Sequence, residues 1–405
     1  MINKTHSSYL KRFSIVFLLL ILAFGGLNYL IDPYGLFGTS RVEGLSKIKP
    51  AAATHLRLSK PYQVRRYQPK TLIAGNSRPE MGMDPAHACW PDSFRPVYNL
   101  GLPGVGVYRQ ARSIQHAIYN SDVRLILWGV DFSDFLSTRH KAPEPGQWPP
   151  AQQTYESNLV VTAAGEENRH YRVNTLKTYL ETLISLDTTS DSLMTILQQG
   201  NQYSSNRLEN GFNPAKDYVP IIRNEGQQVL FQQKMGEIER RFSRPGQSVL
   251  GEAGNSSKQF RSLAYLLNSV DKQKTQVYLF INPYHVEYLR AIHSKGLWEQ
   301  FEQWKLRLLA IADQHHAPLW DFSIITPYNS EPAPASATAA DELKWFWEPA
   351  HYKQNVGSLM LASMVPGWCQ KNLETPVGVK LNSNNIDSVL KIERLKIGNI
   401  STKVK

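Results

Sequence analysis

The sequence predicts an α/β protein. Its core is a three-layer sandwich on about five parallel strands, with one helical insertion and one N-terminal transmembrane helix. Three observations predict this. Short apolar runs ending in Gly, Asn or Asp alternate with helix-periodic stretches through 71–139 and 256–370, a rhythm that calls for a parallel sheet with helices on its faces. The text between them, 140–255, is polar and interrupts that rhythm once. Ahead of both, Phe13 to Ile31 is 19 residues without a charge.

Composition bounds the function classes. Hydrophobic residues make up 42% of the 405 and charged residues 20%, the balance of a folded chain. The net charge of +11 invites a nucleic-acid reading, but residues 1–12 hold +3 of it and residues 371–405 hold +4. The body keeps only +4 and carries no nucleic-acid motif, so nucleic acid is excluded as the expected partner. Cys89 and Cys369 have neither zinc spacing nor a CxxC pattern. They read either as two buried thiols or as one disulfide in an oxidising compartment. No metal and no cofactor is implied.

Residues 13–31 make a helix of roughly 28 Å, close to the thickness of a hydrocarbon core. Lys11 and Arg12 precede it and Asp32-Pro33 ends it, which places residues 1–12 in the cytoplasm and the body outside. A cleaved signal peptide would need Ala23-Phe24-Gly25 as its site, a poor small-x-small match inside a continuing apolar run. The expectation is an uncleaved anchor in the membrane. Residues 32–70 are mixed and basic and read as a linker to the folded domain.

The first strand is Thr71-Leu72-Ile73-Ala74, running into Gly75-Asn76-Ser77-Arg78. Pro79 and Gly82 bar regular structure, and Asp84-Pro85 then reads as an N-cap followed by proline at the first helical position. Ser77 is therefore expected on a turn at the carboxyl end of a strand, the edge where open parallel sheets bind ligands. The competing reading is a turn serine bonding its own backbone. Pro96 to Gly101 reads as a second strand, leading into the glycine-rich loop Gly101–Gly106. A helix with Ala111, Ile114 and Ala117 or Ile118 on one face should follow, then a third strand over Val123–Phe132.

Residues 142–152 are a proline-rich break, and the insertion has helical spacing from Thr175 to Leu197. It reads as a lid or partner surface. The rhythm resumes with a helix near 258–271, a strand at 276–283, a helix over 297–316 and a strand at 318–322. In Trp345-Phe346-Trp347-Glu348-Pro349-Ala350-His351-Tyr352, Pro349 suits a first helical position, with Glu348 at the cap and His351 in the first turn. Residues 371–405 read as a basic, solvated tail; the run Ile386 to Ile400 also has amphipathic helical spacing.

A strand-end serine becomes a nucleophile when a base takes its proton and a third group holds that base. Glu348 and His351 supply such a pair: the carboxylate fixes one ring nitrogen and leaves the other for the serine. Chance ExxH pairs on surface helices are the competing reading. Trp345, Phe346 and Trp347 would line an apolar slot or pack the core. His285, ending a strand on the same edge, is a second candidate base or else a structural turn histidine.

In chain order, Gly75-Asn76-Ser77, the loop at Gly101/Gly104, Gly129-Val130-Asp131-Phe132 and Glu348-Pro-Ala-His351 resemble the four blocks of SGNH (GDSL-like) hydrolases. The resemblance covers about 71–135 and 276–365. With the N-terminal anchor, the GNSR variant and the FWEPAHY ending, it narrows to membrane-anchored SGNH-like proteins of bacterial exopolysaccharide and O-acetylation clusters. It implies a flavodoxin-like strand order, Ser77 as nucleophile, His351 as general base and Glu348 as its orienting acid. Gly104 or Gly101 would donate an oxyanion N–H, with Asp131 and Arg78 as further oxyanion-hole or substrate-binding candidates. It also implies a carbohydrate or acyl-ester substrate and a membrane-bound acyl-donor protein as partner. Asp131 departs from the pattern: a carboxylate stands where an amide should donate and would repel a developing oxyanion, so either it has another role, or it is held protonated, or the protein is a poor hydrolase. One missing oxyanion donor costs roughly 3 kcal/mol. The expected function is thus an extracytoplasmic serine esterase or O-acyltransferase, or a catalytically silent glycan-binding or scaffold relative. The helices expected after Asp84 and Pro349 should flank the first strand, which makes Cys89 and Cys369 a candidate disulfide.

Overall fold

A computed structural model describes residues 2–138, 149–250, 257–335, 342–365, 367–369 and 375–402. The proline-rich break lies largely outside these residues, as do the expected insertion boundaries near 140 and 255 and the start of the tail at 371. Helix α1 (Ile2–Ile31) opens the chain, and its stretch Ser7–Ile31 is long and apolar enough to cross a membrane. The expected linker is folded. Lys49 Nζ donates to the Ile31 and Asp32 carbonyls, both at 2.7 Å, closing the open end of α1. Helix α2 (Leu56–Tyr67) then packs against the body with Tyr62 and Val64 buried.

Strand β1 (Thr71–Ala74) leads into α3 (Ser77–Gly82). Here the structure corrects the expectation of a turn: Ser77 is the first residue of a short helix. The Asn76 side chain caps it by accepting from the Arg78 N–H at 3.0 Å. Pro79 is harmless because first-turn residues have no acceptor four positions back. The helix expected at Asp84 is absent, since the Asp84 carboxylate accepts from the Ala86 N–H at 2.8 Å and holds a turn.

Strand β2 (Val97–Asn99), helix α4 (Val107–Asn120) and strand β3 (Leu125–Val130) follow as the sequence predicts. After α5 (Phe132–Phe135) and α6 (Pro150–Ser157), the expected helix 175–197 is two, α7 (Tyr171–Ile184) and α8 (Leu186–Leu197). Ser185 parts them, its side chain capping the Thr188 N–H. Helices α9 (Tyr218–Glu225) and α10 (Gln227–Phe242) complete the insertion.

The rhythm resumes with α11 (Lys258–Ser269), β4 (Gln276–Ile281), α12 (Val286–Ser294), α13 (Trp298–Gln314) and β5 (Leu319–Asp321). The helix expected from Pro349 is instead a β-hairpin, β6 (Phe346–Glu348) and β7 (His351–Tyr352), and α14 (Gln354–Met364) starts only after it. The aromatic run favours strand over helix, and the Pro349 carbonyl is held by the His285 N–H at 3.1 Å. The tail is also corrected. Residues β8 (Val379–Leu381) form a sixth strand, and α15 (Ile386–Thr402) buries Ile386, Leu390 and Ile397 against the core.

The sheet order is β2-β1-β3-β4-β5-β8, parallel except for β8. Alternate strand residues divide between two faces. Leu72, Ala74 and Ile126 pack toward α4, α11, α12 and α13, whereas Ile73, Leu127 and Phe280 pack toward α14 and the hairpin. Three layers result. Cys89 and Cys369 form a disulfide that ties the loop after α3 to the segment after α14.

Candidate active site

The parallel strands deliver their carboxyl ends to one edge, and the residues singled out from the sequence gather there. Ser77 Oγ and His351 Nε2 are 2.7 Å apart although 274 residues separate them in the chain. His351 Nδ1 bonds Glu348 Oε1 across the β6–β7 hairpin, where the two residues are a cross-strand pair. The other oxygen, Oε2, accepts from the Ala350 N–H at 2.7 Å. Ser77 is half-buried, His351 is 8% exposed and Glu348 is 1% exposed. Burial works against a charge on Glu348, yet the imidazole of His351, Lys234 and the Ala350 amide together hold its carboxyl below the usual range. An ionised carboxylate therefore fixes one ring nitrogen, and the other faces the hydroxyl.

Arg78 explains how α3 and the hairpin are held together. Its Nε donates to the Ala350 carbonyl at 2.7 Å, and its Nη1 pairs with Asp131 at the end of β3. The guanidinium lies over the rings of Tyr284 and Tyr288 at 5.1 and 5.2 Å. Burial disfavours that cation, but Asp131 outweighs it and raises the guanidinium pKa. The second oxygen of Asp131 accepts from the Ser133 N–H and hydroxyl. Asp131 is thus fully engaged as the counter-ion of Arg78 and does not stand as a bare charge in the site, contrary to the repulsion its motif position suggests.

The two candidate glycines differ from each other. The Gly101 N–H donates to Asn99 Oδ1 at 3.0 Å and is already occupied. Gly104, at φ +65°, makes the turn into α4, a conformation that suits glycine. The loop is pinned beside Gly75 by the Leu102 N–H, which donates to its carbonyl at 2.9 Å. His285 belongs to the structural alternative. Its Nδ1 accepts from the Glu287 N–H to cap α12, and its Nε2 bonds the Glu331 carbonyl at 2.9 Å. Burial pushes its pKa down to about 4, and neither nitrogen is free for a substrate.

Sequence reasoning missed the supports. Lys60 is fully buried and donates to Glu80 Oε1 at 3.1 Å and to the Asn99, Gly101 and Gly211 carbonyls. Arg207 of the insertion takes the other Glu80 oxygen at 3.2 Å. This knot joins α2, α3, the glycine loop and the insertion; no local spacing links positions 60, 80 and 207. Asp134 lies behind the Asn76 cap of α3, accepting from Asn76 Nδ2 at 3.1 Å and Gln110 Nε2 at 3.0 Å. Burial, then the neighbouring Asp131, push its carboxyl up to about 7. From the insertion, Gln227 donates to the Phe346 and Trp347 carbonyls, and Tyr218 meets the Trp347 ring edge-on at 6.0 Å. Phe346 is core, whereas Trp347 is half-buried.

Among the described residues, His87, Cys89 and Cys369 are close enough to suggest a metal centre, but both sulfurs are joined in the disulfide. Compared with known proteins, the chain matches no protein-family profile and no curated relative.

Proposed function

We propose that this chain is an SGNH-type serine esterase or O-acyltransferase, anchored in a bacterial inner membrane and acting outside the cytoplasm on an envelope or exopolysaccharide glycan. The observation that carries the proposal is the continuous contact from Ser77 Oγ through the His351 ring to the Glu348 carboxylate. In this reading Ser77 Oγ attacks an acyl carbonyl while His351 Nε2 takes its proton, and Glu348 steadies the imidazolium. The alkoxide or other leaving group departs with the proton returned by His351, leaving an acyl-serine. Water then completes hydrolysis, or a sugar hydroxyl completes transfer, deprotonated in turn by His351. The Ser77 N–H, opening α3, would serve as a backbone donor to the developing oxyanion.

The β2-β1-β3-β4-β5 parallel order supports the flavodoxin-like arrangement expected of the SGNH resemblance. The apolar α1 preceded by Lys11 and Arg12, together with the Cys89–Cys369 disulfide, supports an anchored domain in an oxidising compartment. The glycan substrate and a membrane-bound acyl-donor partner rest on the resemblance alone.

One observation favours a second reading. The Gly101 N–H is spent on Asn99 and Asp131 is spent on Arg78, so Asp131 and one of the two candidate glycines offer no free donor. A silent SGNH-like module that binds glycan or scaffolds a modification complex fits that feature. A fluorophosphonate probe on the full chain separates the two readings. Labelling that disappears in Ser77→Ala and His351→Ala and persists in His285→Ala supports the enzyme. A folded wild-type chain that takes up no probe supports the binding module.

A further inference from the structure

Helices α7 and α8 are built inside out. The buried side of α8 is made of hydroxyls, Thr188, Thr189, Ser192 and Thr195, while Leu186, Leu193, Met194 and Leu197 are turned outward. On α7, Val173, Leu176, Leu180 and Ile184 form one stripe at helical spacing, and every one is exposed. These eight apolar side chains are between 46% and 78% exposed. A helix in water buries its leucines and shows its threonines; this pair does the reverse.

What the hydroxyl side packs against explains the inversion. Asn28, the clearly polar residue of the apolar stretch of α1, is completely buried in this contact. Its Nδ2 donates to the Leu183 carbonyl at 2.9 Å and to Thr189 Oγ1 at 3.0 Å, and its Oδ1 accepts from Ser192 Oγ at 3.0 Å. Gly25 lies against the same carbonyl of Leu183. Small and hydroxyl-bearing residues between helices, with leucines facing away, are the pattern of helices packed in lipid. Farther from the tip the pair rejoins the soluble body. Tyr34 Oη donates to Asp191 at 2.8 Å, and Gln199 bonds both backbone groups of Ile48.

We infer that the tip of the α7–α8 hairpin, Ile184-Ser185-Leu186, enters the outer leaflet of the bilayer beside α1, as a second and non-spanning membrane contact. The inference rests on the reading of α1 as a membrane anchor. Given that reading, the level of the tip follows. Ser185 and the nearby Leu183 touch Asn28 and Gly25 of α1, which precede Ile31 by three and six residues, or about 5 and 9 Å along a helix. The medium around that part of α1 is the medium around the tip. Its occupant is lipid because the tip is bonded to α1 at Asn28, where the neighbouring α1 side chains Phe24, Tyr29 and Leu30 are themselves exposed and apolar. The charges of α7 nearest the tip, Lys177 and Glu181, pair with each other at 3.7 Å.

The test uses the full chain carrying a single added cysteine and an environment-sensitive nitrobenzoxadiazole label, in phosphatidylethanolamine/phosphatidylglycerol vesicles with doxyl-labelled lipid as quencher. The native cysteines are occupied by their disulfide. Labels at Leu19→Cys on α1 and Leu395→Cys on α15 set the fully quenched and unquenched references. Loss of most emission from Leu186→Cys, with a smaller loss from Leu180→Cys, supports the inference. Emission from Leu186→Cys as unquenched as from Leu395→Cys, while Leu19→Cys is quenched, overturns the inference and leaves the anchor intact. An unquenched Leu19→Cys overturns both. Placing benzoylphenylalanine at position 186 in native membranes gives an independent outcome: crosslinking to a protein instead of lipid also overturns it.

Discussion

His351 has two ring nitrogens, and the value of Glu348 lies in deciding which one the serine meets. Replacing the carboxylate by an amide leaves the space filled but lets the ring adopt the wrong tautomer. Glu348→Gln is therefore expected to slow fluorophosphonate labelling by roughly 10³-fold while leaving the melting temperature nearly unchanged. Arg78 and Asp131 call for the opposite outcome. Both are buried and each is the other's main counter-charge. Arg78→Ala strands the Asp131 carboxylate and should cost about 3–5 kcal/mol in denaturant unfolding. Asp131→Asn, which restores the amide of the family pattern, should lower stability as well and bring no gain in labelling rate. Asp134 carries a pH dependence. Its carboxyl is raised from 3.8 to about 7 in the folded chain, so the fold favours its protonated form. That contribution is complete below about pH 4 and is lost as pH rises through 7, with a slope on the order of 1 kcal/mol per pH unit. Asp134→Asn should flatten this part of the stability profile, read from denaturant midpoints across the range. Ser77 and His351 are legible in the sequence because each sits in a local signature, a strand end or an ExxH pair. Asp131 is legible as a departure from the pattern, but its partner is not, because tertiary structure sets it: the same motif position faces the site or a neighbouring arginine depending on how α3 is docked.

At the level of elements, the strands are legible and the segments just beyond them are not. Each of the five parallel strands is an apolar run closed by a breaker, and each appears within two residues of its expected start. The segments after Asn76 and Trp345 turn on proline. As sequence, Pro79 reads as a bar to helix and Pro349 as a helix start, yet a first-turn proline is compatible with α3 and a hairpin turn is compatible with Pro349. The hairpin gives the acid and base a shared rigid support: Glu348 and His351 face each other across two strands instead of along one helical turn. Cys89 and Cys369 brace the same neighbourhood across 280 residues of chain. Cys89→Ser/Cys369→Ser should lose roughly 2–5 kcal/mol of stability, with the added loss under reducing conditions seen in wild type and absent in the variant. The inverted pattern of α7 and α8 is plainly written in the sequence, but only the position of Asn28 reveals which face is which.

For the whole molecule, the parallel layered plan is readable from the alternation of elements, and the recruitment of both flanks into it is not. The basic tail supplies β8 and α15 because Ile386, Leu390 and Ile397 recur on one helical face, a signal diluted by the charges between them. The segment after α1 supplies a joint instead of a tether. Lys49 closes the end of α1, the Asp32 carboxylate takes the Leu36, Phe37 and Gly38 N–H groups, and Asn28 is bolted to α7 and α8. Lys49→Ala leaves those buried carbonyls without their donor and should cost about 1–3 kcal/mol. If the proposed activity holds, its labelling by a small soluble probe should persist while turnover of a membrane-tethered polymer falls. Under that proposal, a domain joined to its anchor by these bonds would work at one altitude. Strands of polymer passing at that height would be within its sweep, and those lying closer to or farther from the bilayer would be passed over whatever their chemistry.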